Sequence, residues 1–272
     1  MSTNNTTITN ADAPFDEPDA DFILRSSDNV DFRVYRMFLA YASPVFKDMF
    51  ALPQVPQSDN SNETKDGLPV VQMTEKKKTV EMLLLRCYPM AAVDPPALEE
   101  LEDVGALLEA AIKYNVERVE KRVRGGLLSP HFLETDPIRV FAIACRYSLL
   151  EEAKVAARAT LNQPILSRPY GPELEFTTAG KFYRLLQYHG ECVREVQNIL
   201  TDSGWSDDQF SRCLHCNAWS RVKEKIVGAI TDQVPGGEKL AVIVETAMKD
   251  VSMCKYCSTG KSLWHKSRQL EM

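Results

Sequence analysis

The residues best suited to chemistry are four cysteines near the C-terminal end, which form two Cys-x-x-Cys pairs. The two-residue spacing lets both sulfur atoms of a pair turn toward one ion, and four thiolates can fill the tetrahedral coordination shell of zinc. The pairs are Cys213 with Cys216 and Cys254 with Cys257. We therefore predict one structural zinc ion, held by these four side chains without an open position for water.

Other interpretations of these cysteines stay open. They could be free thiols, or two unrelated redox dithiols. His215 or His265 could also replace one cysteine as a zinc ligand. The gap between the pairs is longer than in a compact zinc ribbon. The two helices predicted between the pairs would therefore have to bring the second pair back to the first.

The remaining cysteines and one histidine follow patterns that are typical of a protein core. Cys87, Cys145 and Cys192 lie in helical, largely apolar stretches, which favours buried thiols. The total of seven cysteines is odd, and this favours thiols or metal ligands over disulfides. His189 lies on the apolar stripe of a predicted helix, so we expect a hydrogen-bonded core or edge histidine.

Common motifs of catalytic and nucleotide-binding sites do not occur in the sequence. It contains no His-Glu-x-x-His, Gly-x-Ser-x-Gly or Gly-x-Gly-x-x-Gly pattern. The tripeptide 260–262 resembles the end of a phosphate-binding loop, but Lys255 stands where that pattern requires glycine. We therefore predict no catalytic and no cofactor-binding residues, and a protein that is not an enzyme.

Composition and charge narrow the class of protein. Hydrophobic residues make up 44% and charged residues 26%, as in soluble globular proteins. The net charge of −6 disfavours a broad nucleic-acid or anionic-membrane partner. The N-terminus lacks the basic start and apolar stretch of a secretory leader, and no apolar run would span a bilayer. We predict an intracellular protein of the nucleus or cytoplasm, with no membrane partner.

The first half of the chain reads as a small sheet followed by helices. Residues 1–18 are polar and predict a disordered tail. An apolar run at 21–25 and an alternating run at 30–34, separated by a turn, predict a β-hairpin. A helical pattern over 37–50 contains Ser43-Pro44, which predicts two short helices with Ser43 capping the second.

The following elements complete an α+β pattern. The polar insert Gln54–Gly67 predicts a loop, and 68–73 predicts a third strand with its proline at the strand start or a sheet edge. Helices are expected over Thr79–Cys87 and Leu98–Val123.

From Asp136 onward the chain reads as all helix. The helices are expected to begin at Pro137, near Leu150 and at about 178, 219 and 238.

The segment 31–50 reads DFRVYRMFLAYASPVFKDMF and resembles the signature of BTB/POZ domains. A later part of that domain is a leucine-rich helix ending in tyrosine, which residues 84–88 resemble. Its next helix is similar to residues 107–114. The resemblance covers residues 19–130. The whole chain is similar to fungal BTB proteins that carry a helical region after the domain. Tyr35 departs from the pattern because the family usually has histidine there.

The resemblance implies an α+β domain that forms homodimers and binds protein partners, often cullin-type ubiquitin ligases. Asp21 and Arg36 match positions that often form a buried charged pair near the dimer face. This pair could bind a partner, or it could only hold the fold together.

We predict four regions: a disordered tail (1–18), a BTB/POZ-like domain (19–130), a helical region (131–204) and a small cysteine module (205–272). The predicted function is that of a protein-interaction adaptor, either for ubiquitin ligation or as a nuclear regulator. The alternative is a zinc-module protein that binds nucleic acid through its C-terminal part. Residues 205–272 carry ten Lys/Arg against eight Asp/Glu, which supports that alternative only weakly.

Overall fold

The chain folds as two compact units, Met1–Phe132 and Leu133–Met272. The computed structural model describes residues 7–51, 64–89, 95–165, 169–201, 218–230 and 237–250.

The first unit contains a sheet of five strands among the described residues, in the order β1-β3-β2-β5-β4. β2 pairs antiparallel with β3 and parallel with β5, while β1 runs parallel to β3 and β4 antiparallel to β5. The strands are β1 (Thr9–Asn10), β2 (Phe22–Arg25), β3 (Val30–Val34), β4 (Thr64–Lys65) and β5 (Leu68–Gln72).

The predicted hairpin is confirmed as β2 and β3, the centre of this sheet. All four residues of β2 are buried, and Leu24 lies directly opposite Phe32. The turn between them places Asn29 at φ 63°, a left-handed conformation that asparagine tolerates better than most residues.

The prediction of a disordered tail is wrong for residues 7–18. β1 pairs with β3 through Thr9 and Val30. Phe15 is 1% exposed, and its ring packs edge-on against Phe32 and Tyr88 with centroid distances of 5.8 and 5.4 Å. One large aromatic residue therefore anchors a segment that is otherwise polar.

The predicted loop Gln54–Gly67 is wrong at its C-terminal end, and residues 52–63 lie outside the described part of the chain. Thr64 and Lys65 form β4, which turns into β5 through Asp66 and Gly67 at φ 55° and 77°. Two consecutive positive φ angles are the geometry of a tight two-residue hairpin, and Gly67 adopts it without steric cost.

The helices of the first unit pack against one another, and α2 contacts the sheet through the Phe50 ring, 4.8 Å from Phe22. The predicted break at Ser43-Pro44 is confirmed, because Pro44 opens α2 immediately after α1 ends. The helices are α1 (Arg36–Ala42), α2 (Pro44–Ala51), α3 (Lys77–Cys87), α4 (Leu101–Lys113) and α5 (Glu117–Leu127). The next helix, α6 (Pro130–Thr135), contains the boundary between the two units in the sequence.

Ser43 caps α2 as predicted and also links two distant elements. It is 1% exposed, its Oγ accepts a hydrogen bond from the Phe46 N–H at 3.0 Å, and it donates one to the Tyr114 carbonyl at the end of α4. Ser43→Ala removes both bonds and leaves a buried carbonyl without this donor. We expect a loss of about 2 kcal/mol in the free energy of unfolding, measured by urea denaturation. A loss below about 0.5 kcal/mol would show that neither bond matters.

Two helix predictions in the first unit need correction. The single helix expected over Leu98–Val123 is split into α4 and α5, because Asn115 adopts φ 50° between them and ends α4. The short helix α6 lies between the two predicted helices that end at Val123 and begin at Pro137, where the sequence predicted none.

The described part of the second unit consists of helices. α7 begins at Pro137 as predicted, but Asp136 makes no side-chain capping hydrogen bond. His189 is 4% exposed, with Nε2 2.8 Å from the Thr160 hydroxyl oxygen, which confirms a hydrogen-bonded core histidine. The helices are α7 (Pro137–Arg146), α8 (Leu150–Thr160), a 3₁₀ turn (Pro172–Phe176), α9 (Ala179–Thr201), α10 (Ala218–Ala229) and α11 (Gly237–Asp250).

Candidate functional site

Among the described residues of the first unit, the most exposed large apolar side chains lie on α1. Met37 is 70% exposed and Tyr41 94% exposed, one helical turn apart on the same face. Val45, 38% exposed, follows at the start of α2. Large apolar side chains so exposed on one helix are typical of a surface that another molecule covers. We call Met37, Tyr41 and Val45 the α1 face.

A cavity of 620 Å³ lies beside the α1 face. Its walls come from α1, the start of α2, the end of α3 and the start of α5, including Met37, Tyr41, Cys87 and Val116. Burial raises the pKa of the Cys87 thiol to about 12, so this thiol is protonated at neutral pH and suits an apolar wall better than a nucleophile.

The opposite side of α1 fixes the helix firmly to the domain. Leu39 is fully buried, and the Phe38 ring packs edge-on against Tyr88 at 5.0 Å. The Tyr35 backbone N–H, just before α1, donates a hydrogen bond of 2.9 Å to the Tyr88 hydroxyl. The α1 face is therefore presented by a helix whose other side is fixed in the core.

Asp21 and Arg36 form the ion pair that the sequence predicts, at the start of α1. Arg36 Nε lies 3.2 Å from Asp21 Oδ2, and the Arg36 backbone N–H donates to Asp21 Oδ1 at 2.8 Å. The two side chains are 43% and 46% exposed in the single chain, so the pair is not buried within the domain itself. The second bond satisfies a backbone donor at the helix start, so Asp21 also acts as a cap.

The buried ion pair of this domain is a different one, and the sequence interpretation missed it. Arg25 Nε lies 2.5 Å and Lys65 Nζ 2.7 Å from the two oxygens of the Asp31 carboxylate, whose side chain is 2% exposed. Burial alone would raise the pKa of Asp31, but the hydrogen bonds from Arg25 and Lys65 outweigh it and hold the pKa below its usual value. Arg25 and Asp31 are direct cross-strand partners in the hairpin. Working out the register of the predicted hairpin could therefore have found this pair.

The four cysteines of the predicted zinc site, Cys213, Cys216, Cys254 and Cys257, lie outside the described residues. Within the described part of the chain, Cys87 and Cys145 are buried, as predicted for core thiols, and Cys192 is half-buried. None of the helices in that part is long and apolar enough to cross a membrane.

An exposed apolar helix face, fixed from behind and bordered by an ion pair, is the arrangement of a protein-binding module. Residues 15–129 match the family model of the BTB/POZ domain. These residues therefore form a BTB/POZ domain, as the sequence predicted, and strands β2–β5 and helices α1–α5 lie within it. A search among curated proteins found no match. BTB/POZ domains are interaction modules that commonly dimerise and bind protein partners such as cullins, and they are not typically catalytic.

Proposed function

We propose that this protein is an interaction adaptor that forms a homodimer through the α1 face and recruits protein partners. The observation that carries the proposal is the exposure of Met37 and Tyr41 within a BTB/POZ domain. A symmetric dimer places the same face of both copies in contact, so one interface covers the exposed side chains of both copies. Aromatic and methionine side chains are enriched at such interface cores.

The Asp21–Arg36 pair supports this arrangement as part of the border. The pair is half-exposed and adjoins the start of α1, so its charges can remain hydrated at the rim while the apolar centre is covered. We propose that it orients the two copies, since exposed charge pairs set the register of an interface more than its affinity.

The recruited partner is proposed to be a cullin-type ubiquitin ligase, which would make the protein a substrate adaptor. The support is that BTB/POZ domains commonly bind cullins. Affinity purification of the tagged full chain, followed by mass spectrometry, tests this directly. Recovery of a cullin in stoichiometric amounts supports the adaptor. Recovery of chromatin proteins without a cullin would instead favour a nuclear regulator, which is the second form of the proposal.

We also propose that Cys213, Cys216, Cys254 and Cys257 hold one structural zinc ion. The support is the paired spacing, which supplies four thiolates for a tetrahedral ion. In Cys213→Ser we expect less than about 0.2 equivalents of zinc per chain, against about one in the wild type, because binding by the remaining three ligands is much weaker. Elemental analysis of protein purified without chelator measures this.

The matched control for the zinc prediction is Cys192→Ser, which removes a cysteine outside both pairs. Its zinc content should equal that of the wild type. Zinc far below one equivalent in the wild type, together with four freely titrating thiols in the native chain, would exclude the site.

A further inference from the structure

A second candidate surface lies in the helical unit, in an open groove between α8 and α9. Its volume is 540 Å³, and residues from the end of α7 contribute to its floor. The floor is apolar, since Ala144, Leu149 and Leu185 are all buried. Leu150 lines the groove as well and is 66% exposed, so a large apolar side chain is left uncovered at the edge.

Cations line both walls of this groove. Lys154 and Arg158 lie one turn apart on α8, and Lys181 and Arg184 lie one turn apart on α9. No aspartate or glutamate lines the groove within the part of the chain that the structure describes. A cationic groove is therefore built into a protein whose net charge is −6.

The hydrogen bonds of these cations leave much of their charge available. Lys181 Nζ donates to the Cys145 carbonyl oxygen at 2.6 Å, a neutral partner. Lys154 pairs with Glu151 at 2.7 Å, one turn before it on α8, while Arg158 and Arg184 are both exposed. The charges of Arg158 on one wall and of Lys181 and Arg184 on the other are thus available to whatever enters the groove.

Hydrogen bonds on either side of the groove fix its walls. Arg139 on α7 holds the 3₁₀ turn before α9 through two hydrogen bonds to Glu173, of 2.7 and 2.6 Å. Gly171 lies so close to Arg139 that a Cβ there would come within 2.6 Å of its side chain. The bond between His189 and Thr160 links α9 to the end of α8. The groove is therefore a preformed surface, which reduces the entropic cost of binding.

We propose that this groove binds an acidic amphipathic helix of a partner protein. An apolar floor between two cationic walls fits a helix with an apolar stripe flanked by Asp or Glu on both sides. The distance along α8 from Leu150 to Arg158 corresponds to about two helical turns, so the bound segment needs two turns of this pattern. The inference rests on the second unit alone and does not depend on the dimer.

Selection from a phage library of random peptides of about 16 residues, long enough for a helix of several turns, tests the proposal. The full chain is immobilised, and the double variant Arg158→Glu/Arg184→Glu is panned in parallel. We expect peptides enriched at least tenfold on the wild type over the variant, carrying Asp or Glu beside apolar residues spaced three and four apart. The affinity of a synthetic enriched peptide should fall with rising salt, since exposed charge pairs are screened.

The matched control is Arg194→Glu, the same charge reversal on an exposed position of α9 outside the groove. It should bind the enriched peptide within twofold of the wild type, and far-UV circular dichroism checks that all three proteins keep their helix content. The proposal is overturned if no peptide distinguishes wild type from double variant, or if the distinguishing peptides lack acidic residues. If a short DNA single strand binds this groove more tightly than the enriched peptide does, the groove is a nucleic-acid site and the proposal is wrong.

Discussion

Replacing Asp31 with asparagine is expected to lower the free energy of unfolding of the first unit by about 3 kcal/mol. The substitution keeps the shape of the side chain but removes the charge that Arg25 and Lys65 both contact, at 2.5 and 2.7 Å. A buried guanidinium would then lack its carboxylate partner, which costs far more than the loss of an exposed pair. Hydrogen–deuterium exchange of the amides in β2 and β3 measures the change in the full chain.

The effect of Asp31→Asn should depend on pH in a defined direction. The folded state holds the pKa of Asp31 below its usual value of about 4. The carboxylate therefore contributes its full stability above that value and loses it as the pH falls toward the lowered pKa. The difference between wild type and variant should be constant from about pH 5 to 7 and should shrink below about pH 4.

Asp66→Asn is the matched control, because it makes the same substitution in the same sheet at the surface. Asp66 pairs with Arg33 but is 58% exposed, so its loss should cost less than about 1 kcal/mol. Asparagine also tolerates the positive φ of that position. Equal losses in the two variants would contradict the importance of the buried cluster.

Tyr41→Lys is expected to weaken homodimerisation on the order of 100-fold, because aromatic hot spots contribute about 2–4 kcal/mol to an interface. Tyr41 is 94% exposed, so the substitution leaves the core of the folded chain unchanged. Lysine is also well suited to the last turn of a helix, where it faces the negative end of the dipole. Sedimentation velocity over a concentration series measures the dissociation constant of both proteins.

Ile112→Lys controls for the added charge and the lost apolar area. Ile112 is 40% exposed in the last turn of α4, so the two substitutions place lysine in equivalent helical positions. This variant should dimerise as the wild type does. Equal weakening by both substitutions would mean that the α1 face is not the interface.

The sequence predicted those parts of the fold that depend on local patterns. The β2–β3 hairpin follows from alternation over 30–34, and the break before α2 follows from Pro44, which cannot continue a helix. Residues 31–50, followed in the expected order by 84–88 and 107–114, indicated a BTB/POZ domain. These features can be predicted from neighbouring residues alone, without knowing which distant residues contact them.

The features that the sequence did not predict depend on distant contacts. Phe15 is one apolar residue in a polar stretch, and its role becomes visible only when it packs against Phe32 and Tyr88. The same holds for Lys65, which contacts Asp31 from β4. That strand lies in a polar segment whose residue types predicted a loop. The Asp21–Arg36 pair was found by resemblance, but its exposure depends on the packing of α1 and could not be derived from residue types.

The mass of the full chain in solution tests the central proposal most directly. Size-exclusion chromatography with multi-angle light scattering, run at micromolar concentration and physiological salt, should give twice the chain mass of 30.7 kDa. The Tyr41→Lys variant, measured beside it, should give the mass of a single chain. A wild-type mass of one chain, unchanged at the highest concentration that stays soluble, would contradict homodimerisation through the α1 face.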